Sequence, residues 1–317
     1  MTLLQAIVIS ILQGVSELFP VSSLGHAVIL PKLLHWNINE SGKTWLAFLV
    51  ALHVGTATAL LIYFWSDWRA VLLAFVRSVQ KAEIGADQDQ RLAWMVVLGT
   101  VPAGLVGSIL QKPLRSLFAS PYIAAAFLIV NGAIMFLGEW LLQRQLAASA
   151  GAGATQPAIA MAGGSGQVSR TSPQAEVADS AFGGERYRDI TQLSWRDAAV
   201  VGFAQIGALI PGISRSGITM VAGLAAGLTH EAAARYAFLL ATPIIAAAGL
   251  LELPDLFSSH ARSILGYAVI GMVLAGIAAY LSVRYLMRYF EFGRLYPFAY
   301  YCVGAGALSL ILLSAHL

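Results

Sequence analysis

Two short stretches of a largely apolar chain each gather reactive side chains at one turn. Residues 13–26 read QGVSELFPVSSLGH and residues 205–219 read QIGALIPGISRSGIT. They share a layout: a glutamine, an apolar run, a proline, then a small, hydroxyl-bearing turn. The first supplies Glu17, Ser22, Ser23 and His26; the second supplies Ser214, Arg215, Ser216 and Thr219. A carboxylate and an imidazole together can hold a metal ion or move protons, and a serine beside them is a candidate nucleophile. Arginine presents a planar fork of donors suited to phosphate. Gly25, Gly212 and Gly217 allow backbone to approach a ligand closely. A helix beginning after each turn would aim its first N–H groups and positive dipole end at an anion. Helix capping accounts for one serine per helix. It does not account for an arginine on one turn and a glutamate plus histidine on the other.

The setting makes these residues costly. The 317 residues are 58% hydrophobic and 11% charged, with mean hydropathy +0.73; a soluble domain carries about 25% charged residues. Composition therefore excludes a soluble enzyme, and a formal charge of +3 is too small to indicate a nucleic-acid partner. Ionisable groups inside a bilayer usually line a functional cavity. The candidates are Glu17, His26, His53, Glu139 and Arg215. Glu139, beside Trp140 and before Arg144, reads as interfacial. His53, alone in ALHVGTATAL, reads first as a hydrogen-bonded packing residue and second as a site residue. Arg235 opens a span and snorkels. Cys302 is the single cysteine and sits in an apolar run as packing. The opening MTLLQAIVISILQG lacks a basic n-region, so it reads as part of the mature fold.

Six segments meet the roughly 20 apolar residues a spanning helix needs: 44–65, 92–111, 121–143, 231–251, 263–286 and 295–315. Four shorter ones, 3–18, 23–35, 198–210 and 216–228, form two pairs, broken at Pro20 to Ser23 and at Pro211 to Ser216. Each pair reads as a re-entrant hairpin, since irregular backbone at membrane depth must be buried in protein or line a wet cavity. The competing reading is eight full spans with two proline kinks. Hairpin, three spans, hairpin, three spans is an internal repeat. Because three is odd, the halves are inverted and the two turns can meet near the midplane, where inverted-repeat transporters bind their substrates. The expected fold is all-α and polytopic: six transmembrane helices plus two re-entrant hairpins, with Glu17 and Arg215 within roughly 10 Å, the reach of a bridging phosphate and cation.

The repeats divide the chain into 1–143 (hairpin 3–35) and 197–317 (hairpin 198–228). Residues 144–196 join them, rich in Ala, Gly and Ser and read as a flexible linker. The first face holds five basic residues (Lys32, Lys43, Lys112, Arg115 and Arg262) and the second thirteen, with Arg215 assigned to neither. Positive residues stay inside, so the second face and the linker are expected to be cytoplasmic and both termini periplasmic. An embedded anion site of this kind admits a lipid-phosphate enzyme or a transporter, flippase or channel. The combination of Glu, His and paired Ser favours hydrolysis.

QGVSELFPVSSLGH and PGISRSGIT resemble the two signature motifs of the bacterial undecaprenyl-pyrophosphate phosphatase family, the integral-membrane enzymes associated with bacitracin resistance. The first motif is met by Gln13, Glu17, Pro20, Val21, Ser22, Ser23, Gly25 and His26. The second is met by Pro211, Gly212, Ser214, Arg215, Ser216, Gly217 and Thr219. Weaker similarity at GTVPAGLVG (99–107) and ATPIIAAAG (241–249) extends the resemblance over most of the chain. It implies hydrolysis of undecaprenyl pyrophosphate to the monophosphate and inorganic phosphate in the bacterial cytoplasmic (inner) membrane, recycling the lipid carrier for peptidoglycan synthesis. Glu17, Ser23, His26 and Arg215 are then catalytic. Gln13, Ser22, Gly25, Ser214, Ser216, Gly217 and Thr219 contact the substrate. A divalent cation, Mg2+ or Ca2+, is held by Glu17 and the carbonyl oxygen of Gln13, which stands where the family takes Glu or Gln. The nucleophile is Ser23, His26 or water. The lipid bilayer is the implied surroundings, and a second copy of the chain, in a homodimer, is the expected protein partner.

Overall fold

In a computed structural model, residues 1–38, 42–118, 120–153, 189–256 and 264–315 are described. They form eleven α-helices and two short 3-10 turns, with no strand among the described residues. The first half comprises α1 (Leu3–Ser16), α2 (Ser23–Leu33), α3 (Lys43–Tyr63), α4 (Trp65–Lys81), α5 (Gln88–Phe118) and α6 (Pro121–Gly153). The second comprises a 3-10 turn (Ile190–Gln192), α7 (Trp195–Ala204), a second 3-10 turn (Gln205–Leu209), α8 (Arg215–Ala225), α9 (His230–Leu256), α10 (Leu265–Phe290) and α11 (Tyr296–Ala315).

Six of these helices are long and apolar enough to cross a membrane: Thr44–Tyr63, Gln88–Leu110, Pro121–Arg144, His230–Gly249, Leu265–Phe290 and Tyr296–Ala315. They coincide with the six expected spans to within a few residues, and the chain is a multi-pass membrane protein. Two differences stand out. Residues 112–118, beyond the expected span 92–111, continue α5. Residues 65–81 fold into α4, which the search for spans passes over because its apolar positions are interleaved with Arg69, Arg77 and Lys81. Trp68, Val71, Ala74 and Ser78 are buried, while Leu72, Leu73, Val76 and Val79 are about half exposed, a pattern suited to the membrane interface. Of the expected linker 144–196, residues 144–153 continue α6 and 189–196 hold the first 3-10 turn and the start of α7, while the rest lies outside the described residues.

The two breaks have local causes. Ser22 caps α2, its Oγ accepting from Gly25 N at 3.2 Å, and it does so at φ 68°, a left-handed conformation costly for a residue with a Cβ. In the second half the chain tightens into a 3-10 turn before Pro211. The proline keeps Ile210 extended, at ψ 126°, as the residue before proline must be. Gly212 follows at φ 98°, and a Cβ there would lie 2.3 Å from Ala124 O of α6, so only glycine fits. Ser214 then caps α8, accepting from Gly217 N at 3.2 Å. Packing interleaves the halves: α10 lies against α1 and α3, α11 against α6, α9 against α3 and α8, and α6 against both α2 and α8.

Candidate active site

The turn 17–22 and the turn 210–214, almost two hundred residues apart in sequence, are in contact. A Cβ on Gly25 would lie 3.2 Å from Gly212 Cα, and one on Gly217 would lie 3.3 Å from Pro20 Cβ. Ser216 Oγ, at the start of α8, donates to Phe19 O at 3.4 Å. Asn131, fully buried in α6, joins the turns directly: its Nδ2 donates to Pro20 O at 3.0 Å and its Oδ1 accepts from Ser214 N at 3.0 Å.

This junction puts Glu17 and Arg215 together. Glu17 follows the last turn of α1, and its side chain is only 7% exposed. Its Oε1 accepts from Arg215 Nη2 in a direct ion pair. Its Oε2 accepts from Ser23 Oγ at 2.5 Å and from Gln13 Nε2 at 2.9 Å. An anion this deep is affordable only with such partners. His53 Nε2, reaching in from α3, lies 3.3 Å from the same carboxylate oxygen and 3.1 Å from Gln13 Nε2. With Nδ1 donating to Leu49 O at 2.8 Å, a neutral His53 accepts from Gln13 and a protonated one donates to Glu17. The ring can therefore give or take a proton at the carboxylate without moving.

Glu17, Ser22, Ser23, His53, Gln205, Ser214 and Arg215 form the polar side of a cavity of about 320 Å³; the rest of its wall is apolar, including Val50, Leu209, Ile244, Ile245 and Ala248. Charged groups at one end and aliphatic side chains at the other suit a ligand with an anionic head and an apolar tail. The positive ends of α2 and α8 both start at this cavity.

The remaining expected residues sit as follows. Gln13 lies behind Glu17. Gly25, Ser216 and Gly217 form the contact between the turns. Ser214 Oγ is 3.0 Å from Ser216 Oγ. Thr219 Oγ1 donates back to Arg215 O at 2.6 Å, inside its own helix. His26 turns elsewhere: Nδ1 meets Ser22 O at 2.7 Å, Nε2 meets Tyr301 Oη at 2.8 Å, and the ring stacks on that tyrosine. His53, read first as packing, stands in the site instead, and two contributors were not among the expected residues: Asn131 and Gln205. Gln205 could have been found from the repeat, since it holds the place in the second stretch that Gln13 holds in the first. Asn131 could have been flagged as a lone amide in AFLIVNGAIMF.

Two buried amide oxygens near the site have the chemistry of hard-cation ligands. Gln13 Oε1 and Gln205 Oε1 are buried and have no hydrogen-bond partner, so each is an oxygen ligand in search of a donor or a metal. No cluster of three His, Cys, Asp or Glu occurs among the described residues. Mg2+ asks for less, one or two carboxylates plus substrate phosphate and water.

The chain matches the family model described as Bacitracin resistance protein BacA over residues 6–308. It is 46% identical over 318 residues to an Undecaprenyl-diphosphatase of Acidiphilium cryptum, covering 99% of both chains. It is 45% identical to an Undecaprenyl-diphosphatase of Mycolicibacterium paratuberculosis, covering 98% of this chain and 97% of the other. The same identity holds for Undecaprenyl-diphosphatase 1 of Burkholderia pseudomallei, with 98% and 96% covered.

Proposed function

The chain belongs to the BacA family of bacitracin resistance proteins, and from that premise we propose that it is an undecaprenyl-diphosphatase. It hydrolyses undecaprenyl pyrophosphate to undecaprenyl phosphate and inorganic phosphate, recycles the carrier for cell-wall synthesis, and confers bacitracin resistance. The observation that carries this reading is the Ser23–Glu17–Arg215 constellation at the polar end of a half-apolar cavity. A hydroxyl held against a carboxylate can lose its proton as it attacks phosphorus, the arrangement that phosphoryl transfer uses.

In the reaction, Ser23 Oγ attacks the terminal phosphorus while Glu17 Oε2, already its hydrogen-bond acceptor, takes the proton. The anhydride P–O bond breaks, undecaprenyl phosphate departs, and the phosphoryl group stays on Ser23. His53 then passes that proton from Glu17 to solvent. Water attacks the phosphoserine as Glu17 takes its proton and hands it to the departing Ser23 Oγ, so that inorganic phosphate leaves and the serine is restored. Arg215 has donors to spare beyond Glu17 and binds the phosphoryl oxygens, whose charge grows toward the transition state. Glu17 and the carbonyl oxygens of Gln13 and Gln205 are the groups that would hold Mg2+ or Ca2+, which when bound neutralises pyrophosphate charge. His26 fixes the first turn through Ser22 and Tyr301 in this scheme.

The short pairs α1–α2 and α7–α8 are re-entrant hairpins of an inverted repeat, 1–143 and 197–317, joined through the linker at 144–196. Two observations support that arrangement. Neither pair has a helix long enough to span, and both turns end at one cavity. The excess of basic residues on the second face supports a cytoplasmic linker and periplasmic termini in the inner membrane. The test is phosphate release from undecaprenyl pyrophosphate by the purified protein in detergent. Mg2+-dependent release supports the reading; binding without release overturns it.

A further inference from the structure

We propose that the protein has a second lipid site, separate from the cavity at the two turns, that holds a zwitterionic phospholipid bearing a primary amine. Three span ends converge there: Tyr63 closes α3, Glu231 and Arg235 lie in the first turns of α9, and Arg284 and Arg288 lie in the last turns of α10. Between them is a polar cavity of about 450 Å³. Arg235 is paired with Asp67 across it. Arg284 and Arg288 are exposed, and among the described residues neither has an ion-pair partner. Glu231 and Glu291 line the same hollow, also exposed and outside those ion pairs. The helix dipole and the retention of positive charge at the cytoplasmic face account for a basic residue near the end of α10. They do not account for a cavity in which, beside the Arg235–Asp67 pair, two cations and two anions stand outside any ion pair among the described residues.

The second observation is what adjoins it. A groove of about 400 Å³ runs along α3 and α10 from Gly55 and Met272 up to Tyr280 and Leu281, and its lining is almost entirely apolar. Tyr280 borders both hollows, its ring 6.0 Å from that of Tyr63, a tyrosine pair at the level where aromatic side chains mark the membrane boundary. The helices touch along the floor, where a Cβ on Gly276 would lie 3.1 Å from Gly55 O. From Met272 to Tyr280 the groove follows about 12 Å of helix, room for the upper part of an acyl chain. A charged hollow at a span end opening onto an apolar groove has the shape of a phospholipid. The arginines match its phosphate, and the two carboxylates match an ammonium. A lipid with phosphate but no amine would face both carboxylates unpaired.

The test uses the intact protein, delipidated in detergent, and measures binding of phosphatidylethanolamine and phosphatidylglycerol by native mass spectrometry and by thermal stabilisation. Phosphatidylethanolamine should bind roughly tenfold more tightly, the effect of one or two charge-assisted hydrogen bonds. The pair Arg284→Gln and Arg288→Gln should weaken its binding by about the same factor. The pair Glu231→Gln and Glu291→Gln should make the two lipids equivalent. All four positions are exposed and outside the first cavity, so phosphate release by the variants reports that they are folded. Equal binding of the two lipids by the parent protein would overturn the proposal. So would phosphatidylethanolamine binding that survives loss of both arginines, or glycerophosphoethanolamine, the head without its chains, binding as tightly as the lipid.

Discussion

Replacing Asn131 with alanine separates the holding of the site from its chemistry. Asn131 touches none of the groups assigned to the reaction, yet it bonds Pro20 O in one turn and Ser214 N in the other, each at 3.0 Å. Interhelical hydrogen bonds in membrane proteins average about 0.6 kcal/mol and reach about 1.7 kcal/mol. Two of them give a stability loss of about 1–3 kcal/mol, toward the upper end because both orphaned groups are buried. The effect on catalysis is larger. Pro20 lies three residues before Ser23, and Ser214 directly precedes Arg215, so a shift of about 1 Å between the turns misaligns nucleophile and charge and costs about a hundredfold. Unfolding in detergent and phosphate release, measured on the same preparation, should show the modest loss in the first and the large loss in the second. Cys302→Ala removes weak sulfur contacts to Asn131 at 3.4 Å and to Pro20 O at 3.8 Å and should stay near the parent in both. Hydrolysis near the parent level in Asn131→Ala, with the stability loss present, would refute the positioning role. Unchanged stability would refute the two bonds.

Three further outcomes are expected. Glu17→Gln should remove the response of hydrolysis to added Mg2+ along with most activity; residual activity that still follows Mg2+ as the parent does would show that Glu17 does not face the cation. His53→Gln keeps an amide beside Gln13 but cannot carry a proton, so hydrolysis should slow and its pH profile should lose one limb; an unaltered profile would make the ring a packing group. Deleting residues 150–180, which include GAGATQPAIAMAGGSG, should leave phosphate release near the parent level because the segment has little to bury; a large loss at normal expression would show that it does more than join the halves.

The spans and the two turns were legible because membrane physics makes them so. Twenty apolar residues have few other uses, and Glu17 and Arg215 stand out in a sequence where a charge is expensive. What escaped was whatever depends on a partner far along the chain. His53 looks like a solitary histidine until Glu17, thirty-six residues earlier, is seen against it. Asn131 gains its meaning only from two turns separated by most of the protein. His26 carries the type expected of a catalytic base, but Tyr301, 275 residues on, takes its Nε2. The helix α4 escaped for another reason: its apolar stripe is interrupted by basic residues at helical spacing, which defeats a search for uninterrupted spans but satisfies an interfacial helix.

The central claim is that the two turns act as one unit on a single pyrophosphate. A double-mutant cycle on phosphate release from undecaprenyl pyrophosphate tests it most directly, with Glu17→Gln, Arg215→Lys and the double variant compared with the parent. Lysine keeps the charge of Arg215 and loses its fork, and glutamine keeps the shape of Glu17 and loses its basicity. Residues that work as a unit are strongly non-additive, so each single variant should lose nearly as much activity as the double. Losses that multiply independently, or a single variant that hydrolyses at the parent rate, would contradict the account.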